Sequence, residues 1–537
     1  MQVVVIGGGH NGLVAAGLLA KRGAHVTVLE QRDVVGGAAV TETPWGPSYK
    51  VTALSYVVSL LPSVIVRELE LERHGYRIHP QGPYFAPRPG GPSLRLPADP
   101  VARRRSIAQF SGRDADAYDR WEAWLGGLAG TLAPLLTETP PRLGSRRPRD
   151  LLDQARLGWR ARSWNVRATA DITKLFTASI ADLLDDFFES DAMQGVLSVS
   201  GVIGTWAGPR SAGTAYVMAH HKIGDVGGGK LGAWGFPEGG MGAVTRALRE
   251  AAESFGASVR TDAPVERILV DRGTATGVVL ATGEEVRADV VIAATHPRIT
   301  FLDQLDARDL PGEFLDDIRR WKSRSGTVKV NLALDRLPEF ASDPGFDPDV
   351  HGGTIVIAPS LDHVERAFQD AVGGRTAVSP FADICIPSVF DRTLAPEGHH
   401  VMSMFTQWVP HMFAAAPHTD ELDAYADRVI GEVDDVAPGF RDSILHQQVI
   451  GPYEMEHTYG LVGGNIFHGE LSPSQLFHMR PAPGYADYRT PIRNLYQAGS
   501  ATHGGGGVTG IPGLKVVEQV EHDRSVNRWR RRLREPS

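Results

Sequence analysis

Cysteine is all but missing from this chain of 537 residues: Cys385 is the only one. A lone thiol forms no internal disulfide, builds no cysteine-based metal centre and cannot supply the paired redox thiols of a flavin disulfide reductase, so all three are excluded. No run of about 18 uncharged apolar residues occurs either, which excludes a conventional membrane-spanning helix. Met1 leads straight into an apolar strand with no space for a signal peptide, and a cytoplasmic protein is the expectation. The net charge is −8, so no broad basic field exists for phosphates, and nucleic-acid binding is not expected. There is no internal repeat and no low-complexity tract. The chain is too long for one simple core and is expected to divide into two or three lobes.

What is there begins at once. Val3-Val4-Val5-Ile6 is a short apolar, β-branched run, the pattern of a strand buried on both faces of a parallel sheet. It ends in Gly7-Gly8-Gly9-His10-Asn11-Gly12, and a helical pattern follows, closed by Gly23 before a second strand, His25-Val26-Thr27-Val28-Leu29. Gly7 permits a tight turn, Gly9 removes the Cβ that would hold a pyrophosphate away, and Gly12 lets helix and strand pack closely. The helix N-terminus supplies free N–H groups and the positive end of a dipole. Glu30 follows roughly 20 residues on, where a carboxylate accepts both ribose hydroxyls of an adenosine. Gln31 and Arg32 border the same position, with Arg32 in reach of phosphate or adenine. The Gly36-Gly37 pair before Ala38 suits a second close approach of backbone to the cofactor.

Farther along, proline and glycine thicken between Pro80 and Pro100, and helical patterns follow over Asp114 to Leu128 and Ile172 to Phe188. Between Arg142 and Arg167 an arginine-rich stretch includes Arg146, Arg147, Arg149, Arg156, Arg160 and Arg162, interleaved with Leu151, Leu152, Leu157 and Trp159. It reads as a solvated helical connector or as a basic amphipathic helix able to make peripheral contact with an anionic membrane. A helix over Ala243 to Phe255 leads to strands at Ser258 to Thr261, Val265 to Val270 and Thr276 to Leu280, then to a buried strand ending at Ala294. Alternating stretches at Thr327 to Leu334, Gly353 to Ile357 and His400 to Gln407 predict an antiparallel sheet. No second GxGxxG unit follows a strand. Gly227-Gly228-Gly229 and Gly239-Gly240 read as loop and helix-entry glycines, so a dedicated NAD(P) domain is not expected.

The run from Val3 to Gly37 resembles the FAD-binding signature of the flavoprotein group that contains amine oxidases, phytoene and carotene desaturases and Rab GDP-dissociation inhibitors. Ala38 stands where many members carry arginine. The segment Asn494-Leu495-Tyr496-Gln497-Ala498-Gly499-Ser500, followed by Ala501-Thr502-His503 and the glycines 504 to 507 before Val508-Thr509-Gly510, resembles the C-terminal flavin motif of phytoene desaturases. Gly-His-Asn-Gly-Leu-Val-Ala-Ala at the start, Gly-Gly-Ala-Ala-Val-Thr-Glu at 36 to 42, Gly-Asn-Ile-Phe-His at 464 to 468 and Arg480-Pro481 resemble the desaturase-related branch called pyridine nucleotide-disulfide oxidoreductase domain-containing protein 2.

The resemblance implies an α/β fold: a Rossmann-type FAD-binding lobe, parallel sheet plus β-meander, with a discontinuous α+β substrate lobe. Residues 1–75, 235–300 and 490–537 would form the first, and 76–234 and 301–489 the substrate-binding or cap lobe. It also implies one FAD, held by Gly7, Gly9, Gly12, Glu30, Gln31, Arg32, Gly37, Ala38, the backbone of Val265 at the adenine, Gly499, Ser500, Gly507 and Val508, and no metal. A helix starting near Gly510 would aim its dipole at the pyrimidine edge of the flavin. His503 and His468 are the expected proton acceptors or orienting groups, or hydrogen-bonding histidines of the fold. Arg480 would contact flavin or a substrate anion, or pair within the fold. The expected reaction is a dehydrogenation or desaturation that moves a hydride from a C–H bond of an apolar or conjugated small molecule to flavin N5, with oxygen or a quinone as acceptor. The alternatives are an amine oxidase, for which Lys329 and Trp408 would line the site, and a non-catalytic binding protein of the dissociation-inhibitor kind. The sequence leaves oligomeric state open.

Overall fold

The computed structural model describes residues 1–146, 148–162, 164–224 and 232–532; Arg147 and the Gly227-Gly228-Gly229 run lie outside them, as do the side chains of Arg149 and Arg160. Strand β1 (Gln2–Ile6), helix α1 (His10–Lys21) and strand β2 (His25–Leu29) form the expected βαβ unit. They belong to a five-stranded parallel sheet, built by pairing β1 with Val290–Ala293 on one side and β2 on the other, with Leu495–Gln497 and Ser258–Arg260 at its edges. Alternate residues of β1 enter different cores. Val3 and Val5 pack with α1, the helix Met241–Ser254 and the C-terminal helix Ile511–Arg532, while Val4 and Ile6 pack with Phe301, Phe314 and Ile318 on the other face. Each fully buried valine or isoleucine contributes on the order of 1.5–3 kcal/mol, and burial on both faces explains the unbroken apolar run.

Ser258–Thr261 was expected in the meander; instead Ser258–Arg260 extends the parallel sheet beside β2. The meander is Val265–Asp271, Thr274–Leu280 and Glu285–Arg287, whose third strand is polar and exposed and therefore carries no apolar signature. The helical pattern over Ile172 to Phe188 is likewise two helices, Val166–Thr177 and Ile180–Asp185. Ser179 breaks it: its Oγ accepts from the Asp182 N–H at 3.0 Å while Asp182 Oδ2 accepts from the Ser179 N–H at 3.0 Å. This reciprocal capping box starts a new helix and outweighs the apolar periodicity that runs through it.

The second sheet has seven strands, with Thr327–Leu334 central between Ile444–Ile450 and His400–Gln407, then Phe381–Cys385, Thr354–Ile357, Tyr84–Ala86 and Leu94–Leu96. The expected antiparallel sheet is mixed, because Thr354–Ile357 runs parallel to Tyr84–Ala86. Its strands alternate. Val328, Val330, Leu332 and Leu334 enter one large core with Met402, Met404 and Ile384, whereas Lys329 and Asn331 face the other way although both are buried. Against the core face pack helices including Gly112–Thr137, where Trp121 meets Phe187 and Phe188 edge-on.

Gly12 fixes the first unit. A Cβ there would lie 2.1 Å from the Gly7 carbonyl oxygen and 3.1 Å from Ala294 Cβ. Neither neighbour is a flexible side-chain end, so Gly12→Ala is expected to cost about 3 kcal/mol through overpacking. Thermal unfolding of the purified variant checks this, and an unchanged midpoint would contradict the packing.

Candidate functional site

Two spaces share a border between the five-stranded and the seven-stranded sheet. The first is a groove of about 910 Å³ along the C-terminal edge of the parallel sheet, bordered by Gly7, Gly9, Glu30, Gln31, Arg32 and Gly37. Gly7 has φ +98°, the left-handed turn out of β1 that a side chain would strain. Glu30 is buried and oriented by two backbone donors, Gly8 N–H to Oε2 at 2.8 Å and Arg32 N–H to Oε1 at 2.9 Å. Val265 borders the far end, with its carbonyl bonded to Gln304 Nε2 at 2.9 Å. Arg32 is held there by Glu42 at 3.1 Å and by the ring of Tyr459, 4.8 Å from its guanidinium carbon.

The groove fits a dinucleotide on its own chemistry. His10 Nε2, Asn11 Oδ1, Arg32 Nη1, Gln304 Oε1 and His468 Nδ1 are all buried, border it, and find no partner among the described residues. Buried polar atoms are rarely left unpaired, so such a concentration along one groove marks the position of a polar ligand. A Cβ added at Gly9 meets nothing within 4 Å, so the space above that backbone is open for phosphates at the first turn of α1.

The second space is a cavity against the seven-stranded sheet, with Leu54, Leu60, Ile203, Trp234, Phe405 and Phe467 among its walls. It shares four bordering residues with the groove: His10, Ala38, His468 and Ser500. This is where a flavin ring bound in the groove would meet a molecule in the cavity. Ser500 Oγ accepts from Asn11 Nδ2 at 3.1 Å, which ties the returning C-terminal segment to α1. Burial lowers the pKa of His10 to about 3, with His468 beside it, and that of His468 to about 4, with Arg480 beside it, so both imidazoles are neutral at pH 7. His468 and Val508 are held at φ +57° and +59°, conformations unusual for residues with a Cβ, and both face the cavity.

The remaining site residues of the sequence reading separate. Gly507 and Val508 border the cavity just before the helix Ile511–Arg532, while Gly499 packs against Thr295, whose carbonyl oxygen a Cβ would approach to 2.2 Å. His503 and Arg480 border neither space; they line a small pocket with Tyr216 and Phe477. The His503 Nε2–H donates to the Leu135 carbonyl at 2.9 Å. Arg480, buried beneath the site, donates to the carbonyls of Phe467, Ser500, Thr502 and Gln475, so it staples the His468 loop to the C-terminal segment. Of the three residues read as catalytic, His468 alone reaches the junction. Lys329 faces the cavity, whereas the Trp408 Nε1–H donates to the Thr205 carbonyl at 2.9 Å and its ring packs on Phe368 and Phe381. His10, Asn11, Gln304 and Tyr459 were missed. The first two stood inside the glycine motif and were signalled by polar side chains in the first turn of the helix that follows it. Gln304 and Tyr459 arrive from distant segments with no local pattern.

A parallel-sheet lobe with a dinucleotide groove opening onto a largely apolar cavity defines an FAD-dependent oxidoreductase. Residues 168–513 match the family described as flavin containing amine oxidoreductase, and residues 5–63 match an NAD(P)-binding Rossmann-like domain. The chain is 38% identical, over 97% of its length and 93% of the relative's, to pyridine nucleotide-disulfide oxidoreductase domain-containing protein 2 of Rattus norvegicus. It is 26% identical, over 96% and 93%, to a neurosporene-forming phytoene desaturase of Cereibacter sphaeroides. Cyclohexylamine oxidase of Brevibacterium oxydans shares the fold, with a TM-score of 0.58 at 17% identity over 97% of this chain and 99% of that one. The protein belongs to the flavin containing amine oxidoreductase family.

Because no protein atom fills the space above Gly9, Gly9→Val is expected to fold with an unchanged apoprotein melting temperature and to lose most of its FAD. Flavin absorbance per chain after desalting checks it. Full retention of FAD by the folded variant would overturn the placement of the pyrophosphate.

Proposed function

We propose that this oxidoreductase removes hydrogen from adjacent carbons of an apolar or conjugated small molecule, as a dehydrogenase or desaturase. The observation that carries the reading is the continuity of a walled, largely apolar cavity with the dinucleotide groove through His10, Ala38, His468 and Ser500. The similarity to a phytoene desaturase supports it. FAD, when bound, supplies the two-electron acceptor, and oxygen or a quinone is the proposed final oxidant. The chain's part is to exclude water, to hold the reacting carbon at the junction and to take up the proton.

His468 is the proposed proton acceptor, neutral through burial and bordering both spaces. General base catalysis is worth roughly a hundredfold or more, so His468→Gln is expected to lower kcat, measured per bound FAD, by about that factor. A base works unprotonated. With its pKa lowered to about 4, the wild-type rate should be level through neutrality and fall only as pH drops toward about 4. A rate profile that lacks this acid limb, or an undiminished kcat in the variant, argues against the role.

The test of the reaction class is anaerobic rapid mixing. Bound FAD is expected to bleach with an apolar polyene and to persist with NADH or NADPH, since no second glycine-fingerprint unit exists to hold a nicotinamide. Bleaching by a nicotinamide at the rate of turnover would turn the assignment toward a reductase.

No helix among the described residues is long and apolar enough to cross a membrane. The helix Pro148–Ala161 nevertheless leaves Leu151, Leu152 and Trp159 exposed at 48%, 53% and 70%, with Arg146, Arg156 and Arg162 near them in the chain. Apolar side chains flanked by arginine suit the surface of an anionic bilayer, through which a greasy substrate would be delivered. Trp159→Asp is expected to reduce co-sedimentation with phosphatidylserine vesicles, and equal sedimentation of both proteins would remove the membrane from the account.

A further inference from the structure

The sheet that walls the cavity carries a polar group which the proposed chemistry leaves idle. Lys329, Phe405 and Asp383 stand in register on three adjacent strands, so their side chains share one face, with the backbones of Lys329 and Asp383 about 10 Å apart. All three border the cavity, and Lys329 and Asp383 do not border the dinucleotide groove. Tyr56 joins them. Its hydroxyl donates to Asp383 Oδ1 at 2.9 Å, and Lys329 Nζ lies 4.9 Å from the centre of its ring.

The cluster is incompletely satisfied. Lys329 Nζ donates to Asn331 Oδ1 at 3.0 Å and to Ser403 Oγ, which engages two of its three hydrogens. Asp383 Oδ1 accepts from Tyr56, and none of the described residues donates to Oδ2. Lys329 is 1% and Asp383 5% exposed, so water does not compete freely for either. This pair therefore keeps one donor and one acceptor to spare on the sheet wall of the cavity.

Resting on the reading of this cavity as the substrate site, we propose that Lys329 and Asp383 bind a hydroxyl at the end of an otherwise apolar substrate, and that the substrate class is an apolar alcohol. A carboxylate would be drawn to Lys329 but repelled by Asp383, and an ammonium the reverse. A plain hydrocarbon would leave the third lysine hydrogen and Asp383 Oδ2 facing it unpaired, which is costly. A hydroxyl accepts from the lysine and donates to the carboxylate, and so satisfies both. Burial lowers Lys329 to about 7 and raises Asp383 to about 6, so near neutral pH the carboxylate is mostly ionised and the ammonium form of Lys329, which carries the third hydrogen, is well populated.

The experiment is calorimetric binding of decane, decanol, decylamine and decanoate to the FAD-loaded protein at neutral pH. Decanol is expected to bind about tenfold or more tightly than decane and more tightly than either ionised ligand, the factor that a charge-assisted hydrogen bond supplies. In Lys329→Met and in Asp383→Asn the preference for decanol over decane should shrink to near unity while decane affinity and FAD content hold. Equal binding of decanol and decane by the unaltered protein, tighter binding of decylamine or decanoate, or an intact preference in both variants would each overturn the proposal. The panel on the unaltered protein decides even where a variant fails to fold. Polyene bleaching without a preference for decanol would sink this inference and leave the desaturase reading standing; the preference without bleaching by any apolar candidate would do the opposite.

Discussion

The approach of α1 to the chain leaving β1 is the contact on which both spaces depend. Gly12 lies so close to the Gly7 carbonyl that any side chain would collide with it. That proximity brings the first turn of the helix to the floor of the groove, where Asn11 borders the groove and His10 reaches the junction. A second close contact is built on the first: a Cβ at Gly513 would lie 2.3 Å from the Asn11 carbonyl oxygen, so the C-terminal helix rests directly on α1. Gly507 and Val508 immediately precede that helix and form part of the cavity wall. One backbone approach therefore sets the α1 end of the groove and, through a helix almost 500 residues distant in sequence, part of the cavity wall.

The parts legible in the sequence were those in which local pattern and tertiary role coincide. The βαβ unit was read because a buried parallel strand has nowhere to put a polar residue, and the strands Thr327–Leu334 and His400–Gln407 because strict alternation separates a core face from a cavity face. Two features were misread where pattern and role part. Ser258–Arg260 has the composition of a meander strand yet pairs parallel with β2, and a three-residue strand carries no local signal of its partner. Ser179 interrupts an apolar periodicity that continues on both sides of it.

The site shows the same division more sharply. Glycine positions were legible because tight turns and close helix packing constrain the backbone itself. The side chains were not, because His503 and His468 occupy similar loop contexts and are separated only by which way the loop faces. His503 is turned toward Leu135 on the helix Gly112–Thr137, and Arg480 is consumed by four carbonyls. The glycine run before Val508 is also demanded by the protein itself. A Cβ at Gly505 would lie 2.3 Å from the Ser500 carbonyl oxygen, so the run cannot be read as a mark of the flavin alone.

The polar face of the seven-stranded sheet is difficult to explain by stability. Across six strands in register run Gln448, Asn331, Ser403, Cys385, Thr354 and Tyr84, and beside that row stand Lys329 and Asp383. Replacing buried polar groups by apolar ones of similar volume is often neutral or stabilising, and the opposite face of these same strands is filled in that way by valine, leucine and methionine. Asn331, Ser403, Gln81 and Thr354 satisfy one another and their neighbours. Lys329 and Asp383 are left with bonding capacity directed into the cavity, at the cost of shifting both toward their neutral forms. A wall built only to enclose a hydrocarbon would gain nothing from either group. Their presence in a largely apolar enclosure therefore argues that the enclosure recognises one end of its ligand and orients the rest, which brings a chosen carbon, and not merely an apolar chain, to the junction bordered by His10 and His468.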